Sequence, residues 1–409
     1  MWLLLLEVIS AATLAIFLLF KYINRNKDYW KKRGVFQLDV SKVAPAWKQW
    51  LMLVPFNEMD HGIYKLLGEE KYGGYVQLGI PALYVKDLDL LKRIFVKDFE
   101  YFAERRNFGV EKTDKLMSKM LSLTNGNEWK ELRSAMSPAF TTSKIKAMFQ
   151  FFNACGHEMA SYVKDSGKTE IDFQDVFGRF TLGAIATIAF GYDAGTFKAE
   201  DSTFRNMLKK MQTLTPVRFV KMMLHLFVPR VAQTLRLSLF DAEPLKYFTT
   251  ILERVVKYRR ETGEKRQDFL QLMLDVQAGR LKMDEKDLAS LDDYEKDALL
   301  PQNGTSTTAK KYAVDFDDTV VLAQSFLFFI AGADTLESLL TLSAYELALN
   351  PDVQEKLAEE VTNWMEDNGG EITYDGAQSL QYMEMFVSGK LMNLSFLSRI
   401  IILRFIFSS

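Results

Sequence analysis

One cysteine in 409 residues, Cys155, excludes an internal disulfide and any metal centre built on several thiolates, and suits a chain that folds in a reducing compartment. Histidine is nearly as scarce. His61, His157 and His225 are scattered without the spacing of metal ligands, so no site built on protein ligands to a metal is expected. An excess of one charge sign is also missing: Lys plus Arg number 51 and Asp plus Glu 53, a net charge of -2, and bulk electrostatics gives no support to a nucleic-acid partner. There is no internal repeat. The 48% hydrophobic and 13% aromatic content fits no disordered class and can fill a large core.

What is there begins with a long apolar run. Residues 2–20, WLLLLEVISAATLAIFLLF, carry Glu7 as the only charge, and as a helix at about 1.5 Å per residue they match a hydrocarbon core of roughly 30 Å. Lys21, Arg25, Lys27, Lys31, Lys32 and Arg33 follow at once. The positive-inside rule then puts the rest of the chain in the cytosol. A cleaved signal peptide would want a basic start, a shorter apolar stretch and small residues at its end; Ala11 and Ala12 sit in the middle instead. Residues 1–33 therefore read as an uncleaved membrane anchor with a basic stop.

Residues 34–60, punctuated by Pro45 and Pro55, read as an irregular linker onto a folded body. Tyr75 to Asp87 alternates polar and apolar residues around a break at Gly79, Ile80 and Pro81, the pattern of two short strands. Apolar residues then recur at three- and four-residue spacing over 88–96, 130–139, 144–163, 176–190, 202–211, 245–261 and 267–276, and these are expected to be helices. Pro351 to Trp364 is a further helix, with Asn350 expected at its N-cap. Residues 281–311 are polar and charged and read as a solvated loop. The fold class is mostly α with a minor β-sheet.

From Asp317 a stretch of about thirty residues is helical in pattern and apolar nearly all round between Val320 and Ala331, which suits the centre of a large α-domain better than a membrane, because Asp334, Glu337 and Glu346 interrupt it. Within it Ala331, Gly332, Ala333, Asp334 and Thr335 set small residues, an acid and a hydroxyl side by side. Gly332 costs a helix about 1 kcal/mol relative to Ala. Its small size lets something flat approach the helix, or lets another helix cross closely.

Ala331-Gly332-Ala333-Asp334-Thr335 resembles the oxygen-binding signature in the central helix of cytochromes P-450. Trp129, Lys130, Glu131, Leu132 and Arg133 resemble that family's WxxxR helix, and Ser137, Pro138, Ala139 and Phe140 follow as a similar SPAF. Tyr75 to Arg106 is similar to the family's first sheet and following helices, and Asn350 to Val361 to a later helix. Leu336 stands where a second Thr or Ser is usual. The resemblance covers about residues 1–388 and is nearest to arthropod microsomal members that metabolise xenobiotics. It implies the N-terminal part of the cytochrome P-450 fold, residues 34–388, behind one transmembrane helix at the endoplasmic reticulum, with the body on the cytosolic face. It implies a haem cofactor, an NADPH-dependent flavin reductase as electron donor, and lipophilic small-molecule substrates oxidised with O2. Ala331 and Gly332 would line the haem, Asp334 and Thr335 would deliver protons, and Trp129 and Arg133 would hold a propionate. Residues 204–240, rich in Met, Leu and Phe, resemble the family's variable lid, whose apolar residues would dip into the bilayer.

The family's haem needs an axial thiolate from a glycine-rich loop near the C-terminus. Cys155, in FFNACGHEMA, lacks that context and reads as a buried structural cysteine. Tyr382 to Ser388 resembles the opening of the ExxR helix, but Gly389 and Lys390 replace the expected Glu, and residues 389–409 resemble nothing in the family. Gly-Lys can be encoded by GGTAAG, which contains an intron donor. The expectations are a chain cut off before the haem-ligand loop by a retained intron or a gene-model error, with an apolar tail for which a second membrane helix is the alternative. Such a chain would be inactive, and a catalytically dead membrane protein that binds partners such as the reductase, or a misfolded product, are the competing readings.

Overall fold

The computed structural model describes residues 20–22, 24–50, 53–77, 79–105, 108–167, 169–198, 203–280 and 315–393, with isolated positions 7, 10, 13, 14 and 17. Most of the expected membrane helix over 2–20, the loop 281–311 and most of the tail 389–409 therefore lie outside the described residues. The chain divides into two compact units, the first drawing on Met1–Arg106 and the second on Asn107–Lys390.

The first unit is built on helix α1 (Phe56–Leu67) and a two-stranded antiparallel sheet, β1 (Tyr72–Gln77) and β2 (Ile80–Val85). Gln77 pairs with Ile80, so the connection is tight and Gly79 adopts φ +78°, a conformation that L side chains rarely take. The stretch 34–60, expected as a linker, is ordered instead: Gln37 bridges Gly74, and Leu38, Ala44 and Met59 pack with Ile63, Leu67, Tyr75 and Ala82 in a small core. Three apolar side chains, spaced through a stretch that has no period, were enough to anchor it. Gly74 has no side chain because the Trp30 ring lies where its Cβ would be, and the Trp30 indole N–H donates to the Tyr75 carbonyl at 2.9 Å. The helix expected over 88–96 is α only at Leu88–Lys92 and continues as a wider π turn, Arg93–Lys97.

The second unit is helical. In chain order it comprises α2 (Gly126–Met136), α3 (Thr142–Asp165), α4 (Phe173–Phe190), α5 (Thr203–Gln212), α6 (Pro216–Phe227), α7 (Pro229–Thr234), α8 (Ala242–Thr262), α9 (Phe269–Gln277), α10 (Asp318–Leu349), α11 (Pro351–Asp367) and α12 (Gln381–Asn393). Caps set several of these ends. The Asp172 carboxylate accepts from Gln174 and Asp175 N–H groups to open α4, Gly191 closes it at φ +65°, and Asp317 accepts from Val320 N–H to open α10. Pro138 stops α2 early, and Ser137–Phe140 tightens into a 3-10 turn. Asn350 does not cap α11 with its side chain. Its Nδ2 donates back to the Glu346 carbonyl at 2.8 Å, so it serves the C-terminus of α10, whose last carbonyls lack helical partners.

Among the described residues α10 alone has the length and apolar character to cross a membrane, but its first half is encased by the helices around it. Phe326 and Phe329 are fully buried there, with Phe329 4.6 Å from the Phe190 ring and 5.1 Å from that of Phe248. Each such ring removes enough surface from water to contribute about 1.5–3 kcal/mol. The helix also buries a polar side chain, Gln324, whose Nε2 donates to the Lys119 carbonyl and whose Oε1 accepts from the Leu121 N–H at 3.0 Å. Nothing in the local pattern requires a glutamine in this stripe; its partners lie two hundred positions upstream. Gln324→Leu should cost about 1–3 kcal/mol by stranding a buried donor or acceptor, read as a fall in the urea midpoint without change in slope. A midpoint equal to wild type would mean that water reaches Lys119 and Leu121.

Candidate haem-facing site on α10 and α2

Beyond Ala333 no residue of α10 is fully buried, so the second half of the helix opens on the surface of its unit. Ala331 is exposed. One turn later the Thr335 hydroxyl donates to the Ala331 carbonyl at 2.7 Å, which puts the small residue and the alcohol on one open face. Gly332 is turned a hundred degrees away. Its missing Cβ would meet Ile185 Cδ1 of α4 at 2.8 Å, so here the glycine permits the close crossing of α10 and α4. Ala333 is buried on that inner side.

Asp334 is half-buried and accepts a short hydrogen bond from Gln212 Nε2 at the last residue of α5. Burial pushes its carboxyl above the ordinary aspartate range, and the Gln212 amide opposes that only in part. Glu337, three residues on, is raised as well, first by burial and then by the neighbouring Asp334, while Gln174 and Arg205 pull the other way. On the adjoining helices Asp175 is held between Arg179, at 2.8 Å, and Arg205; burial raises it, and the two guanidiniums outweigh that and leave it low. The acids of α10 thus retain protons more readily than the acid of α4.

Trp129 and Arg133 are four residues apart on α2 and so share one side of it, and Leu132, Ala135 and Met136 are the residues the helix buries. The Arg133 guanidinium stands 5.9 Å from the Trp129 ring centroid and is exposed, and among the described residues no carboxylate lies within ion-pair distance of it. A cation on a half-buried tryptophan, without an acid of its own, suits the carboxylate edge of a porphyrin. An exposed alanine beside a back-bonded threonine suits a flat apolar face. Cys155 does not suit the iron. It is half-buried rather than buried, on α3, with its sulfur 3.7 Å from where a Gly183 side chain would begin, and burial, then Glu158 and Asp193, push the thiol up to about 11.

Gln212, Gln174 and Glu337 did not stand out from the sequence. Glu337 falls three residues after Asp334 and so on the same helix side, which spacing alone can show. The two glutamines, on α5 and α4, come from segments far away in the chain, and only the fold brings them to these acids.

Residues 68–388 match the cytochrome P450 family. Cytochrome P450 9e2 of Blattella germanica is 31% identical over 387 residues, which is 90% of this chain and 69% of that relative. Probable cytochrome P450 9f2 of Drosophila melanogaster is 29% identical over 395 residues, 93% of this chain and 72% of the relative, and cytochrome P450 6l1 of Blattella germanica is 26% identical over 399 residues, 96% and 72%. A mostly helical body with a minor sheet and a long central helix is what such a match requires. The chain belongs to the cytochrome P450 family, of the arthropod type, and haem is that family's cofactor.

Proposed function

We propose that the site formed by α2 and the open face of α10 holds haem in a monooxygenase that oxidises lipophilic substrates at the endoplasmic reticulum membrane, with electrons from a flavin reductase. The observation that carries this reading is the face on which Ala331 is exposed and the Thr335 hydroxyl is fixed, beside a half-buried acid whose carboxyl burial raises above the ordinary aspartate range. When bound, the haem supplies O2 activation. The protein's own residues bind and order. Arg133, steadied by Trp129, pairs with a propionate; Ala331 gives the macrocycle room; Gly332 serves the same face indirectly, by seating α10 on α4. Thr335, held by its bond to the Ala331 carbonyl, positions a water at its oxygen, and Asp334 provides the proton. The apolar residues exposed along α6, α7 and just after it, Val217, Val220, Val231 and Leu235, support contact of this segment with a bilayer, in addition to the anchor read over residues 2–20.

The test uses a chain whose residues after Ser388 are replaced by a family-type C-terminus. Arg133→Ala should weaken haem retention, since a charge-assisted bond contributes about 1.5–3 kcal/mol, and Thr335→Ala should lower product formed per NADPH consumed. Haem content unchanged after dialysis would return Arg133 to the surface, and an unchanged product ratio would remove Thr335 from the proton path. Within these 409 residues we infer that Cys155, held as a thiol, does not supply the axial ligand.

A further inference from the structure

We propose that Glu337 is a second proton-carrying acid of this site, coupled to Asp334 so that the pair shares a proton and refills Asp334 from solvent. The inference rests on the reading of Asp334 as the proton donor. Three features of the fold carry it. Glu337 and Asp334 are at i+3 and i on α10, so their side chains share a side of the helix. Gly178 of α4 makes room for the second carboxyl, since a Cβ there would lie 3.1 Å from Glu337 Oε2. Beyond them, the Thr341 hydroxyl oxygen, one turn further on, is buried and without a hydrogen-bond partner among the described residues, so polar groups follow one another at 334, 337 and 341 along one side of α10.

Exposed glutamines hold the pair at both ends, and the Gln174 end is the one that serves Glu337. Gln174, exposed in the first turn of α4, donates to Glu337 Oε1 at 3.3 Å, while at the other end Gln212 donates to Asp334 Oδ1. A proton arriving from solvent beside Gln174 therefore lands on the Glu337 carboxylate. It then passes, directly or over one water, to Asp334 when that group has given its own away; one O–H bond forms as the other breaks, and no charge is created in the half-buried space. The charged groups that face the pair are Asp175 on α4, which favours the protonated form, and Arg205 on α5, which disfavours it, with Arg179 behind Asp175. Two carboxyls so close cannot both ionise as freely as either alone, so their titrations spread apart.

The experiment is an infrared titration of carboxyl groups in the full chain, which needs no haem, comparing wild type with Glu337→Gln, Asp334→Asn and Glu337→Asp. Expected are two carboxyl steps missing in turn from the first two variants, with the Glu337 step in Asp334→Asn moved down by about one pH unit, a tenfold change in proton affinity, because Glu337 is the group that ionises against a charged neighbour. Glu337→Asp should keep both steps and checks that the fold tolerates the site. A Glu337 step at the same pH in wild type and Asp334→Asn overturns the coupling. Haem retention by Arg133→Ala is independent of this: if haem behaves as proposed and the steps do not move, only Glu337 loses its role, and if the steps move and haem is not held, the pair stands while the haem-site reading falls.

Discussion

Replacing Asp268 with alanine should remove about 3–5 kcal/mol of stability, a large part of what holds a single domain together. Asp268 and Arg259 form an ion pair whose side chains are 0% and 3% exposed. Arg259 donates through Nη1 to Oδ1 at 2.8 Å and through Nη2 to Oδ2, so both carboxylate oxygens are engaged. The same carboxylate caps α9, accepting from the Gln271 N–H at 2.9 Å. Gly191, at the end of α4, lies so near that a Cβ on it would strike the guanidinium, and Arg266 donates to the Gly191 carbonyl at 3.0 Å. One acid thus ties the C-terminus of α8, the N-terminus of α9 and the end of α4. Removing it strands a buried cation, which costs far more than the pair is worth against an apolar substitute. Urea unfolding of Asp268→Ala beside the double variant Arg259→Met with Asp268→Leu measures both: the single variant should fall steeply and the double should recover much of the loss. A loss below about 1 kcal/mol in the single variant would mean that water or Arg266 compensates, and the knot would then not be structural.

This knot was not legible in the sequence, whereas α10 was. The run from Asp317 to Leu349 carries its own signals, a capping aspartate, a long helical apolar pattern and an Asn-Pro stop, and the helix occupies Asp318–Leu349. The strand break at Gly79 was likewise written locally, in a residue that tolerates positive φ. What depended on distant partners was not. Nothing local in the sequence marks Arg259, Asp268 or Gln324 as partnered. Asn350 shows a finer ambiguity: the same residue can cap the helix before it or the one after it, and here both its backbone N–H and its side-chain amide turn back to the Glu346 carbonyl. Gly332 was open between a flat ligand and a helix crossing, and Ile185 now occupies the space beyond its α-carbon. Local signals fixed elements; which side of an element meets which neighbour came from the fold.

The 409-residue chain, incubated with haem and reduced under carbon monoxide, is expected to show no thiolate-type Soret band, and Cys155→Ser should leave its spectrum unchanged. Cys155 is the only sulfur in the sequence able to bind as a thiolate. Its thiol is pushed up to about 11 by burial, with Glu158 and Asp193 adding negative charge nearby. At pH 7 a group of that affinity is ionised in about one molecule in ten thousand. Iron would have to displace the proton at a half-buried position on α3 where burial and two acids disfavour the anion, and the cost of that displacement works against ligation. The sign of the pH dependence follows: a thiol whose affinity is raised gains thiolate only as pH climbs, about tenfold per unit until near 11. Alkylation by iodoacetamide tracks this independently of haem, and its rate should keep rising between pH 8 and 10 where an ordinary exposed cysteine begins to level. A rate that levels near pH 8, together with a thiolate band that Cys155→Ser abolishes, would show that this cysteine ligates iron after all and that the chain is competent as it stands.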